Sequence, residues 1–339
     1  MSLRVIHHRE VEALLPMDEC VEIMREALST LARGDAVLPL RSMMKLPDGS
    51  GLLGLMPAYL GSPKIMGLKV VSVIPGNHGT EYDSHQGAVM IFEVEHGCAL
   101  AVIDATSITA IRTAGVSGVA TRALAREDAG DLAILGSGTQ AHSHLDAMAA
   151  VCSLRRVRVW SPDRVHLDAF AERGRARHRL EIEISPSARA AVEGADLICT
   201  TTAARTPVLE GAWLAPGVHI NAVGACFKDT RELDTAAVKG GRLFVDRRES
   251  AMNESGDFLI PKAEGAIGDG HIVGELGEVL IGTVSGRRSR EERTIFKSLG
   301  IAIEDLAAAH HIWRKAETLD RGVAIDFGGR RAGVPEATR

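Results

Sequence analysis

The chain has 339 residues, of which 45% are hydrophobic and 24% are charged, as expected for a soluble globular protein with about two domains. Its 39 basic and 44 acidic residues give a net charge of −5, which lacks the basic field that nucleic acids and anionic membranes require. Five scattered cysteines without a CxxC pair argue against a disulfide framework and against a metal site. With no signal-like or membrane-spanning apolar run, the sequence predicts a cytoplasmic protein.

The first third of the chain predicts a helix followed by an antiparallel sheet. Helical periodicity covers residues 11–33 as one amphipathic helix that begins near Pro16 and stops at Gly34. Strand-like segments then follow each other with short turns and no intervening helix. These segments cover residues 38–46, 51–59, 65–74 and 89–95.

From residue 123 onward, short apolar runs alternate with helical patterns, which predicts a doubly wound parallel sheet of the α/β class. The predicted strands are 132–135, 157–160, 195–200, 218–223 and 243–246, and the helices include 141–150 and 164–173. A last helix over 301–318 is expected to return to the first domain. The predicted organisation is therefore a discontinuous α+β domain (1–118 with 306–330), a Rossmann domain (119–305) and a flexible tail (331–339).

The segment that starts at Leu132 predicts a dinucleotide site. It reads as a strand, a GxGxxA turn and an Ala-rich helix. Gly136 permits the tight turn, Gly138 lets the backbone approach a pyrophosphate, and Ala141 is small enough for close helix packing. Thr139 and Gln140 begin the helix, whose N-terminal N–H groups favour an anion.

The choice between NADP and NAD is expected at the end of the second predicted strand, about 20 residues after the motif. Ser161 stands there instead of the expected acid. Ser161 and Arg164 could hold a phosphate, which favours NADP. Asp163 lies close enough that NAD stays possible.

A set of short segments occurs in one order between Leu38 and about Ala309. The segments are Pro39-Leu-Arg41, Met56-Pro-Ala-Tyr59, Leu68-Lys69, Ser84-His85-Gln86, Ile108-Thr-Ala-Ile-Arg112-Thr113-Ala114, Gly136-Ser-Gly-Thr-Gln-Ala141, Ile220-Asn-Ala-Val-Gly224, Arg231-Glu-Leu-Asp234, Glu254-Ser-Gly-Asp257, Glu275-Leu-Gly-Glu278 and Phe296-Lys-Ser-Leu-Gly300. Together they resemble the ornithine cyclodeaminase/mu-crystallin family, and some are most similar to its mu-crystallin (ketimine reductase) branch. This resemblance implies a Rossmann domain beside a substrate-binding and dimerisation domain, a nicotinamide cofactor, a small α-amino or α-imino acid substrate and a homodimer.

Arg41, Lys69 and Arg112 lie in strand-like or apolar surroundings, where an unpaired charge is costly to bury. Either internal acids pair with them or a ligand carboxylate does, and Arg suits a bidentate contact with a carboxylate. The resemblance places all three on substrate-carboxylate positions. It also places His85 near cofactor and substrate, where it could donate a proton or shape the site; the residues alone equally allow a loop histidine.

The resemblance implies further cofactor contacts. Thr201 ends a predicted parallel strand at the sheet edge where open α/β sheets bind ligands. Thr113, Ser298 and Gly300 are implied to lie near the nicotinamide or the phosphates, and the cofactor-side loop after residue 222 begins with Val223 and Gly224.

The chain departs from the cyclodeaminase pattern at Cys226. The cyclodeaminases and related alanine dehydrogenases carry an aspartate there, whereas the mu-crystallin branch carries a small neutral serine. A thiol with a pKa of about 8.5 is mostly neutral and is a weak hydrogen-bond donor. Asp229, three residues on, could replace the missing carboxylate only if the loop geometry differed.

The expected function is therefore an NAD(P)H-dependent reductase of a small ketimine carboxylate, with Arg41, Lys69 and Arg112 on the carboxylate and Cys226 as a neutral wall. Two alternatives stay open. One is an ornithine cyclodeaminase or amino-acid dehydrogenase, which would convert L-ornithine to L-proline with NAD. The other is a small-ligand-binding protein that uses the same cofactor.

Overall fold

The computed structural model describes residues 2–77 and 79–328 and divides into two compact units. Unit 1 contains the described residues of Met1–Pro16, Gly34–Thr109 and Ala302–Arg339, and unit 2 contains Met17–Arg33 and Ala110–Ile301. These units differ from the predicted domain limits mainly at residues 17–33, which group with unit 2. The predicted flexible tail, residues 331–339, lies outside the described residues.

The helices and strands follow one another along the described chain with short connections. The helices are α1 His8–Leu14, α2 Met17–Ala32, α3 Ala105–Leu124, α4 Thr139–Val151, α5 Arg164–His178, α6 Ala188–Val192, α7 Thr235–Lys239, α8 Arg248–Glu254, α9 Gly256–Ala263, α10 Leu276–Leu280 and α11 Ala302–Leu319. The strands are β1 Ser2–Ile6, β2 Ala36–Val37, β3 Ser42–Lys45, β4 Leu52–Gly61, β5 Lys64–Val73, β6 His85–Phe92, β7 Ala99–Asp104, β8 Asp131–Leu135, β9 Arg156–Trp160, β10 Ile182–Ile184, β11 Leu197–Thr200, β12 His219–Ala222, β13 Arg242–Val245, β14 Ile272–Glu275, β15 Thr294–Lys297 and β16 Val323–Asp326.

Unit 1 is built on a mixed, mostly antiparallel sheet in the order β16-β1-β7-β6-β5-β4-β2, with β3 also paired to β4. Only β1 and β7 are parallel among these pairs of described strands. Helix α11 packs on β4, β5 and β6, and Gly67 lets it approach, because a Cβ there would lie 2.9 Å from Leu306. The predicted antiparallel sheet and the returning helix are both present.

The predicted helix that begins near Pro16 and stops at Gly34 is confirmed by α2, but its extension back to residue 11 as one helix is wrong. The chain forms α1 and α2 instead, and Leu15 between them has a non-helical backbone. Proline disfavours helical geometry in the residue before it, so Leu15 ends one helix and Pro16 precedes the next. The break separates the two helices into different units.

Unit 2 is a parallel sheet in the order β10-β9-β8-β11-β12-β15-β13-β14 with helices around it. Its central strands are buried along their whole length: Leu132, Ile134, Leu197 and Ile220 have no exposed surface. Burial on both faces explains why their sequences are continuous apolar runs. Among the described helices, none is both long enough and apolar enough to span a membrane.

Candidate active site

The turn after β8 has the tight geometry that the GxGxxA motif predicts. Gly136 adopts φ +120°, and its N–H donates to the carbonyl of Trp160 at 2.8 Å. A Cβ at Gly136 would lie 2.7 Å from Thr201 Oγ1, so only glycine lets the turn pass this close to the loop after β11. Thr201 is fixed in turn, because its N–H donates to Leu135 O at 2.8 Å.

Helix α4 begins at this turn with an uncovered N-terminus. Gly138 is its N-cap, no side chain caps it, and a Cβ at Gly138 would meet nothing within 4 Å. Thr139 is exposed and Gln140 is half-buried, while Ala141 is fully buried against the sheet. Orphan N–H groups with open space beside them fit a pyrophosphate, so these residues suit a dinucleotide.

The residues at the end of β9 have local partners. Asp163 caps α5 by accepting the N–H of His166 at 3.0 Å, and this hydrogen bond lowers the pKa of Asp163. Arg164 forms an exposed ion pair with Asp168 at 3.1 Å. Such a pair is worth only about 0.3–0.5 kcal/mol, so it would yield to a phosphate. Ser161 is half-buried beside them.

The carboxyl ends of β11 and β12 bring together the predicted residues of two loops. Val223 donates its N–H to Thr200 O at 3.0 Å, and Gly224 donates to the same oxygen at 3.2 Å. Cys226 is half-buried, and its thiol donates to Val223 O at 3.4 Å. Thr201 follows β11 at the same edge.

Asp229, the acid that could replace the aspartate implied by the resemblance, has a local partner. Its carboxylate accepts from Arg205 Nη2 at 2.7 Å, and the two side chains are 65% and 73% exposed. The structure therefore shows Asp229 at the surface in an ion pair, and a role for it in place of the aspartate that the resemblance implies stays a prediction.

Ser298 and Gly300 follow β15 at the same edge of unit 2. Ser298 is 1% exposed, and its hydroxyl has no hydrogen-bond partner among the described residues, as expected of a group that a ligand would complete. Gly300 has φ +74°, and a Cβ there would overlap the guanidinium of Arg112, which is buried on α3. Thr113, the next residue of α3, is also buried.

In unit 1, Lys69 lies on β5 under the first turn of α11. It is 3% exposed, and its Nζ lies 2.6 Å from Thr109 Oγ1 and 3.1 Å from Asp305 Oδ1. Part of its charge is therefore balanced inside the protein, which weakens the argument that burial alone requires a ligand carboxylate. The substrate contact predicted for Lys69 stays a prediction.

Arg41 and His85 belong to the same sheet as Lys69. Arg41 is half-buried and directly precedes β3, where Ser42 pairs with Leu55, the neighbour of the residue that pairs with Lys69. His85 is solvent-accessible at the start of β6, yet partial desolvation and then the charge of Lys69 lower its pKa. Its imidazole is therefore neutral at pH 7. Unit 1 thus holds Arg41, Lys69 and His85, and unit 2 holds Arg112; convergence of the three cations stays a prediction.

Several buried charged side chains were not predicted as site residues. Among them, Glu232, Asp257 and Lys297 lie at the carboxyl edge of the parallel sheet in unit 2, and Asp305 pairs with Lys69 in unit 1. The first three lie inside the segments Arg231–Asp234, Glu254–Asp257 and Phe296–Gly300, which carry the resemblance to the family. A charged residue within an apolar strand end, such as Lys297, was the available signal.

A family model for the ornithine cyclodeaminase/mu-crystallin family matches residues 2–319. The chain belongs to this family. The ketimine reductase mu-crystallin of Mus musculus is 38% identical over 310 residues, which cover 91% of this chain and 93% of the mouse protein.

Two solved structures are also similar. Thermococcus litoralis Δ1-pyrroline-2-carboxylate reductase, in complex with NADH and L-proline, has a TM-score of 0.93 and 36% identity, covering 95% of this chain and 100% of its own. An archaeal alanine dehydrogenase dimer with bound NAD has a TM-score of 0.91 and 32% identity, covering 97% and 100%. The predicted family, fold and oxidoreductase class are confirmed, while the roles of single residues stay predictions.

Proposed function

We propose that this family member is an NAD(P)H-dependent reductase of a small ketimine carboxylate, either Δ1-pyrroline-2-carboxylate or Δ1-piperideine-2-carboxylate, and that it forms the L-amino acid. The observation that carries the proposal is the half-buried thiol of Cys226, which stands where the resemblance implies an aspartate in the deaminating enzymes. A thiol does not supply the carboxylate that deamination uses. The similarity to two imine reductases supports the same choice.

The substrate carboxylate would be bound by Arg41, Lys69 and Arg112. Lys69 suits this task because Thr109 and Asp305 hold its ammonium in one place, and Arg112 offers a fork of donors that matches a carboxylate. These contacts orient the C=N carbon, and positioning of this kind supplies a large part of catalysis.

The coenzyme supplies the hydride when it is bound. Gly136, Gly138 and the first turn of α4 would hold its pyrophosphate, while Ser298 and Thr201 would lie toward the nicotinamide. The imine nitrogen carries a proton before reduction, which comes with the substrate or through water. His85 and Lys69 are the candidate side chains for relaying it.

NADPH is the coenzyme that the end of β9 favours. Asp163 already accepts the N–H of His166 as the N-cap of α5, so it competes less well for a ribose hydroxyl. Arg164 and Ser161 offer a charge and a hydroxyl for a 2′-phosphate. NADH use would then be the weaker activity.

The active form is proposed to be a homodimer. Unit 1 exposes large apolar side chains on β2, β3 and β4, a surface that isolated soluble sheets avoid. The archaeal alanine dehydrogenase is a dimer, which supports this assignment. The exposed apolar side chains of unit 1 are Val37 (63% exposed), Met43 (41%), Met44 (59%) and Leu55 (39%).

Light scattering tests the homodimer: a monomer at micromolar concentration contradicts the proposal.

The deciding experiment follows oxidation of NADPH and NADH with both cyclic ketimine acids, alongside ammonia release from L-ornithine with NAD. Rapid oxidation with a ketimine and no ammonia is the expected result. Ammonia release without ketimine reduction would replace the proposal with a cyclodeaminase. Inactivity in both assays, combined with tight coenzyme binding, would favour a binding protein.

A further inference from the structure

Glu232 is a fully buried carboxylate that joins the ends of two strands in unit 2. Its Oε1 accepts from the N–H of Thr202 at 2.6 Å and from the hydroxyl of the same residue at 2.7 Å. Its Oε2 accepts from the hydroxyl of Thr200 at 2.8 Å and from the N–H of Gly224 at 2.6 Å. Each oxygen thus receives one backbone and one side-chain donor.

This set of donors suits the ionised carboxylate, which accepts all four hydrogen bonds. Burial and the nearby Asp257 carboxylate raise the pKa of Glu232, while Lys297 and the Thr202 donors act in the opposite direction. The two backbone N–H groups cannot accept a hydrogen bond, so a proton on the carboxyl group could be accepted only by a threonine hydroxyl, which would have to give up its own donation. A buried anion of this kind is stable only with its full set of partners.

Asp257 and Lys297 in turn hold the backbone of Glu232 in place. The Oδ1 of Asp257 accepts the backbone N–H groups of Glu232 at 2.9 Å and of Leu233 at 3.0 Å. The Oδ2 of Asp257 lies 3.1 Å from Lys297 Nζ, close enough for an ion pair although the angle is not that of a hydrogen bond. Lys297 ends β15 and pairs in register with Ala222 of β12. Directly or through Asp257 and Lys297, the Glu232 carboxylate is thereby linked to the ends of β11, β12 and β15.

The loops that Glu232 joins carry predicted site residues. Thr201 lies between its two threonine partners, and Cys226 lies two residues after Gly224. Gly224 permits the close approach of the loops, because a Cβ there would lie 2.5 Å from Glu232 Oε1 and closer still to Thr202 O. The placement of Thr201 and that of Cys226 therefore depend on the same carboxylate.

We propose that Glu232 is a positioning residue: its carboxylate holds the loops of Thr201 and Cys226 in one arrangement at the coenzyme edge. This inference rests on the proposed function only in taking that edge as the site of the reaction. A displacement of about 1 Å at a reacting centre can lower a rate on the order of 100-fold. Loss of the clamp should therefore lower kcat more than it weakens substrate binding.

The test compares Glu232→Gln with Asp234→Asn in the full-length protein. Asp234 is a matched control two residues away, since it also accepts two backbone N–H groups, from Gly211 and Ala237, but it caps α7. We expect E232Q to lower kcat at least tenfold with less than a threefold change in KM, and D234N to change kcat less than twofold. Both are assayed where circular dichroism shows that they are folded.

Hydrogen exchange without coenzyme separates this proposal from the proposed function. E232Q should lose protection in residues 200–204 and in residues 223–228 together, while D234N keeps it. This result would stand even if no ketimine were reduced. If E232Q does not fold, Thr200→Val removes one donor at the same carboxylate, and Thr200→Ser keeps that donor and should restore protection.

Two outcomes would overturn the proposal. One is a kcat within twofold of the unchanged protein in folded E232Q, which would leave Glu232 a stabilising role alone. The other is loss of protection in only one of the two segments, or equal loss in T200V and T200S, since the clamp requires both loops to respond to the same carboxylate.

Discussion

The two units bury the same kind of ion pair in two different settings. In unit 1, Lys69 and Asp305 are 3% and 1% exposed, and their charged atoms lie 3.1 Å apart. In unit 2, Lys297 and Asp257 are 1% and 4% exposed, again with 3.1 Å between charged atoms. The sequence analysis predicted Lys69 as a site residue but not Lys297, although each lysine is paired with a buried aspartate.

The difference lies in the second group near each lysine. Lys69 also donates a hydrogen bond to the hydroxyl of Thr109, and its charge lowers the pKa of solvent-accessible His85. The charge of Lys69 is therefore felt by a residue at the surface of the sheet. Lys297 instead has buried Glu232 and half-buried Cys226 near it, and Asp257 followed by these two groups raises its pKa against the effect of desolvation. A buried lysine therefore does not identify a ligand site by itself; its further neighbours decide between binding and scaffolding.

The largest expected effect is on stability, when either aspartate is removed. Asp257→Leu and Asp305→Leu each remove the carboxylate nearest to a buried ammonium, which costs about 3–5 kcal/mol of unfolding free energy. The double variants K297M/D257L and K69M/D305L should recover part of the loss. Recovery in the first is limited by the N–H groups of Glu232 and Leu233, which still lack their acceptor. Urea unfolding measures all four; unchanged stability in D257L contradicts the assignment.

Lys69→Met should lower kcat/KM for a ketimine acid on the order of 100-fold, equivalent to about 3 kcal/mol, because a charged contact with the substrate carboxylate is lost. The K69M/D305L variant, which leaves no buried carboxylate unbalanced, should show the same kinetic loss. Steady-state kinetics on both variants tests this. Normal kcat/KM in K69M/D305L would make Lys69 a scaffold residue like Lys297.

Two buried histidines differ from the two buried lysines, because no carboxylate pairs with them and they stay neutral. Burial lowers the pKa from 6.5 to about 4 in His144 and to about 3 in His219. The unfolded chain therefore binds more protons below pH 6.5, and stability falls as the pH falls. At about pH 5 the loss is roughly 2 kcal/mol for each residue. Urea unfolding at about pH 5 and at neutral pH measures the loss of unfolding free energy. That loss should be smaller in H219Q than in the unchanged protein, and an equal loss contradicts the assignment.

The smallest effect is expected at the coenzyme. Arg164→Ala should raise the KM for NADPH about tenfold, near 1.4 kcal/mol, and leave that for NADH within twofold. Its weak exposed pair with Asp168 adds little to stability, so the melting temperature should not change. Asp168→Ala is the matched control, because it breaks the same pair without removing the cation. Equal effects on both coenzymes would contradict a phosphate contact.

Much of the fold was predictable from local pattern. The continuous apolar runs of β8, β9, β11, β12 and β13 indicate strands buried on both faces, and the glycine spacing after β8 indicates the dinucleotide turn. Strands β1, β7 and β16 of unit 1 and the short strands β10, β14 and β15 of unit 2 were not predicted. The single helix over 11–33 failed because periodicity continues across Pro16 while the backbone does not.

The candidate site was predictable only in part. The glycine turn and the residues at strand ends follow from motif position, since parallel strands place their carboxyl ends at one edge. The partners of the buried charges did not follow: Asp305 lies 236 residues from Lys69, and Asp257 lies 25 residues from Glu232. No local pattern encodes such a pairing.

By itself, the sequence determined the alternation of strand and helix in unit 2, the succession of antiparallel strands in unit 1, the glycine-rich turn and the family. These properties depend on hydrophobic period, turn residues and short motifs, which act over a few residues. Only the tertiary structure decided which acid meets which base, and that Asp163 caps a helix while Asp229 pairs with Arg205. The electrostatic environment of a charge is set by everything packed around it, and packing joins residues that are distant in the chain.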